Sequence, residues 1–81
     1  MDRKQAVNII KEIFERCPLM EGKSLSLVPP KDNDALSDTF QVHIRSTDLD
    51  LNACIGDIVK KYKLATKQDD QDLIVFKPYP K

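Results

Sequence analysis

The apolar residues of this chain change period three times within 81 residues, and each change commits the backbone to a different structure. From Asp2 to Cys17 the residues Ala6, Val7, Ile10, Ile13, Phe14 and Cys17 recur at helical spacing, with Lys4, Asn8, Lys11, Glu12 and Glu15 opposite them. Pro18 disfavours helical geometry at Cys17, so the helix is expected to stop there. The period then drops to two. Gly22 marks a turn into Lys23–Val28, where Ser24 and Ser26 alternate with Leu25 and Leu27 before Pro29 and Pro30 end the strand. The cleanest alternation follows from Thr39 to Arg45: Phe40, Val42 and Ile44 face one way, Thr39, Gln41, His43 and Arg45 the other.

The helical period returns at Ser46-Thr47-Asp48, with Asp50 three residues after Thr47 in a capping-box-like arrangement. It continues to about Tyr62, with Leu51, Cys54, Ile55, Ile58, Val59 and Tyr62 on one face. Asp48, Asp50 and Asp57 lie early and Lys60, Lys61 and Lys63 late, which suits the helix dipole. Gly56 is a weak helix former, and is expected where the helix presses against a neighbour. Leu64–Lys67 is a short strand candidate, Gln68–Gln71 a polar turn, and Asp72–Lys77 a strong strand. Residues 78–81, with Pro78 and Pro80, form a short tail.

The expected order is therefore α-β-β-α-β-β, in one α+β domain spanning residues 1–81. Two amphipathic helices cannot bury their stripes alone, whereas one face of a four-stranded, mainly antiparallel sheet can receive both. A two-layer sandwich follows. Its element order is a circular permutation of the β-α-β-β-α-β arrangement.

Composition narrows the functions. Lys plus Arg and Asp plus Glu are 13 each, so no bulk cationic charge favours nucleic acid. The carboxy-terminal third is nevertheless basic, through Lys60, Lys61, Lys63, Lys67, Lys77 and Lys81. No apolar run reaches the ~20 residues that span a bilayer, and the amino terminus lacks the apolar core of a secretory signal. A cytoplasmic protein with reduced core thiols at Cys17 and Cys54 is the expectation.

The residues offer little for catalysis or for a cofactor. Cys17, Cys54 and His43 are too few and too scattered for a zinc site. Counted from Asp32, the acidic stretch Asp32-Asn33-Asp34 with Asp38 puts Leu36, Ser37 and His43 where a calcium loop needs an oxygen ligand, Gly and Glu. Two glycines exclude a phosphate-binding glycine-rich loop. The last helix and two strands look like the end of the small sulfur-carrier domains. Those domains place a Cys-Pro-x-Pro motif between a strand and a helix. Here Cys17-Pro18 follows a helix and Met20 replaces the second proline, so the activity does not carry over.

Surfaces remain. Leu73, Ile74, Val75 and Phe76 make the last strand apolar on both sides, so one apolar pair lies away from the helices whichever register is adopted. The candidate interaction face comprises Gln41, His43, Arg45, Leu73, Val75 and Lys77, with a protein partner or a second copy as the occupant. The alternative is a nucleic-acid surface built from Lys60, Lys61, Lys63 and Lys67. A small carrier or enzyme with a reactive cysteine is the third reading.

Overall fold

A computed structural model describes residues 1–31 and 39–79. The acidic stretch Asp32 to Asp38, with its calcium-loop comparison, and the end of the tail lie outside the described residues. The element order is α1 (Arg3–Arg16), a 3₁₀ turn (Pro18–Met20), β1 (Leu25–Val28), β2 (Gln41–Arg45), α2 (Leu49–Lys60), β3 (Ala65–Asp69) and β4 (Asp72–Phe76). The strands form one antiparallel sheet in the order β1-β2-β4-β3. Since β2 and β3 both run antiparallel to β4, they are parallel to each other with β4 between them, a split β-α-β unit around α2. This is the sheet that β-α-β-β-α-β would give if a hairpin joined its terminal strands and the chain opened before its first helix.

Aspartates start both helices. Asp2 Oδ1 accepts from the Gln5 amide at 2.7 Å, and Asp48 Oδ1 from the Leu51 amide at 3.0 Å. The second cap lies one residue later than the Thr47 capping box expected from the sequence. Thr47 is exposed, while Ser46 is buried, accepts from the Asp48 amide and donates to Asn52 Oδ1. Pro18 ends α1 as expected and opens the 3₁₀ turn, which drives Met20 wholly into the core.

The core gathers Ala6, Ile9 and Ile13 of α1 with Leu51, Ile55, Ile58 and Val59 of α2 against Val42, Ile44, Leu73 and Val75 of the sheet. The buried stripe of α1 therefore includes Ile9 and leaves Phe14 49% exposed. Ile13 belongs to both candidate stripes, Ile9-Ile13 and Ile10-Ile13-Phe14, so helical periodicity alone does not choose between them; the position of α2 does. Tyr62 also lies outside the core. Its hydroxyl donates to Glu12 Oε2 at 2.8 Å instead.

Cys17 and Cys54 are joined in a disulfide with their Cα atoms 6.1 Å apart, which corrects the expectation of reduced thiols. The α1 stripe ends by turning Cys17 toward α2, a meeting that no local sequence pattern encodes. Together with Glu12 against Lys61 and Tyr62, this crosslink fixes α1 antiparallel to α2.

The carboxyl end of α2 closes on Lys63 in the left-handed region, φ 57°, with the Leu64 amide donating to Val59 O and the Lys63 amide to Lys60 O. Glycine is the usual residue at such a cap. Conversely, Gly56 sits mid-helix, and a Cβ there would meet nothing within 4 Å. The expected close approach at Gly56 does not exist. Gly56→Ala and Lys63→Gly should each raise unfolding stability by about 0.5–1 kcal/mol, measured by urea titration. The double variant should show the sum, because seven residues along the helix set the sites about 10 Å apart.

Candidate functional site

Both helices lie on one side of the sheet, so the period of two assigns every strand residue to the covered or the open face. The cross-strand register arranges the open face in three rows. Arg45 stands beside Asp72 and Asp72 beside Asp69. In the central row Ser26, His43, Ile74 and Lys67 follow one another across all four strands. The third row pairs Val28 with Gln41 and Ala65 with Phe76.

The structure thus brings Gln41, His43 and Arg45 together as expected, but selects the other register for β4. Leu73 and Val75 face the helices and belong to the core, at 5% and 0% exposure. The apolar pair on the open side is Ile74 and Phe76, themselves only 3% and 9% exposed. A lysine at Leu73 or Val75 would bury an ammonium and test folding rather than association. Lys77 lies beyond the end of β4 and outside the three rows. One sequence signal does select this register: opposite charges on neighbouring strands favour one face, and Arg45 and Asp72 are 3.5 Å apart.

Two hollows meet at Arg45. One, of about 240 Å³, lies over β1 and β2 among Ser24, Ser26, Val28, His43, Arg45 and Asp72. It exists because β1 presents short serines beside the long side chains of β2. The other, of about 470 Å³, continues round the end of the sheet past Lys23, Thr47 and Gln71. His43 Nε2 lies 2.8 Å from Gln41 Oε1. In the neutral ring this contact places the proton on Nε2 and leaves Nδ1 free to accept.

The basic residues do not converge. Lys67 stands on the open face, whereas Lys60 ends α2 on the helix layer and Lys63 forms the cap. Lys61 is committed to Glu12, its Nζ donating to Oε1 at 2.9 Å. The hydrogen bonds from Lys61 and Tyr62, and then the charges of Lys61 and Arg16, hold the Glu12 carboxyl below the ordinary glutamate range; the same contact raises the Tyr62 phenol.

Among the described residues no three of His, Cys, Asp and Glu are placed to hold a metal. Both cysteines are in the disulfide, which leaves neither as a thiol nucleophile. The open face offers hydroxyl, imidazole and guanidinium groups around the smaller hollow. No described helix is long and apolar enough to cross a membrane. No protein-family model, curated protein or solved structure matches the chain.

Glu12 provides a pH test. A depressed folded-state pKa contributes stability that is present above the unfolded value and lost as pH falls through the folded value. Thermal melts from neutral to acid pH should show Glu12→Gln less stable at neutral pH, with the gap to the parent closing as the solution is acidified. A gap independent of pH would place the effect outside this ionisation.

Proposed function

We propose that the protein is a non-enzymatic interaction module that receives a polypeptide partner on its open sheet face. The supporting observation is the central row Ser26, His43, Ile74 and Lys67, which crosses all four strands on the side the helices leave uncovered. Half-buried Val28 supplies an apolar floor to the adjoining hollow, His43 Nδ1 an acceptor, and Arg45 a guanidinium held by Asp72 at its edge. Main-chain and side-chain groups of a polypeptide match this mixture of small hydroxyls, imidazole and apolar surface. A nucleic acid would need the lysines gathered on one surface, and they are divided between two layers.

The Cys17–Cys54 bond is of a kind that oxidising surroundings favour, so it does not support the cytoplasmic setting expected from the sequence. Both sulfurs belong to the helix layer, across the sheet from the proposed face, so binding is expected under either redox condition.

A photo-crosslinking amino acid at His43, compared in cells with the same group at Asn8 on the outer side of α1, tests the reading. One discrete adduct from position 43, lost when Arg45→Glu is added and absent from position 8, is the expected result. Equal adducts from both positions, or none from position 43, would reject it.

A further inference from the structure

The two edges of the sheet differ. β3 carries Lys67 and Asp69, charges that discourage pairing with another chain, whereas Ser24 to Val28 along β1 is uncharged. The Arg45 amide donates to Ser24 O at 2.9 Å. Antiparallel alternation then directs the backbone groups of Ser26 and Val28 toward β2, and those of Leu25 and Leu27 outward. Among the described residues no strand lies beyond β1.

We propose that β1 pairs antiparallel with β1 of a second copy, in the register that sets Leu25 opposite Leu27 of that copy. A twofold axis normal to the sheet then passes beside Ser26, and the Leu25–Leu27 pairs exchange four backbone hydrogen bonds. The neighbouring registers fail on specific groups. Setting Leu27 against itself places Pro29, which has no N–H, opposite Leu25. Setting Leu25 against itself calls on the Lys23 amide, which already donates to Met20 O at 3.0 Å.

Side chains agree with the same register. Leu25 and Leu27 are half-buried against the helix-side core, and each covers the exposed part of the other across the axis. Ser26 meets Ser26 and Ser24 meets Val28, so no like charges oppose. The two helix layers lie on one side, and the two hollows beside β1 adjoin across the axis on the other.

Ser26→Cys provides the test, because the axial non-hydrogen-bonded pair has Cα atoms about 4.5 Å apart, within disulfide range. Under mild oxidation Ser26→Cys should form an interchain bond at least about ten-fold faster than Ser24→Cys, which faces Val28 and not itself. The parent should show a concentration-dependent dimer by sedimentation velocity. Ser26→Lys, an exposed substitution that sets like charges on the axis, should be a folded monomer. Equal oxidation rates, a parent monomeric at every concentration, or a dimer that survives Ser26→Lys would each overturn the proposal. This pairing is independent of the open-face reading: a monomer that keeps the position-43 adduct removes the dimer alone.

Discussion

The apolar contact between the two helices and the paired central strands β2 and β4 organises everything else in this molecule. Val42 and Val75 are cross-strand neighbours, as are Ile44 and Leu73, and these pairs meet the stripes of both helices. In a chain of 81 residues there is little surplus apolar area, since small domains bury only roughly 60% of their unfolded surface. The core therefore takes both strands' inward residues at once. Because the strand period is two, committing Val75 inward sends Ile74 outward. The open face is the geometric remainder of the core.

Polar contacts then fix the edges of this arrangement. Gln68 Oε1 accepts from Asn52 while its amide nitrogen is within reach of Ser46 O, Asp70 O and Asp72 O, tying the last hairpin to the start of α2. At the other end, Glu12 gathers Lys61, Tyr62 and Arg16, and the Cys17–Cys54 bond joins the helices a turn or more away. These groups lie at the ends of elements or on the helix layer, away from the central row of the open face.

Local patterns were sufficient wherever one residue's environment depended on its own neighbours. The alternation from Thr39 to Arg45 placed Gln41, His43 and Arg45 on one face, and Pro18 ended α1, because both effects act within a few bonds. Longer-range choices were not legible in the same way. An uninterrupted apolar run carries no internal alternation, so Leu73–Phe76 could not reveal its own orientation. Ile9 and Phe14 competed for one stripe until α2 was in place. The cysteines, separated by 37 positions, meet only once both helices have packed. Arg45 and Asp72 did hold usable information about β4, but only if paired before the apolar residues were assigned.

The proposed face depends on which side of β4 meets the helices. Methyl nuclear Overhauser effects of Ile74 and Val75, assigned by selective labelling, measure this directly. The Val75 methyls should contact methyl groups of α1 and α2, while the Ile74 methyls contact His43 and Lys67 and neither helix. Contacts from Ile74 to both helices, with Val75 facing His43, would contradict the assignment and the proposed face derived from it.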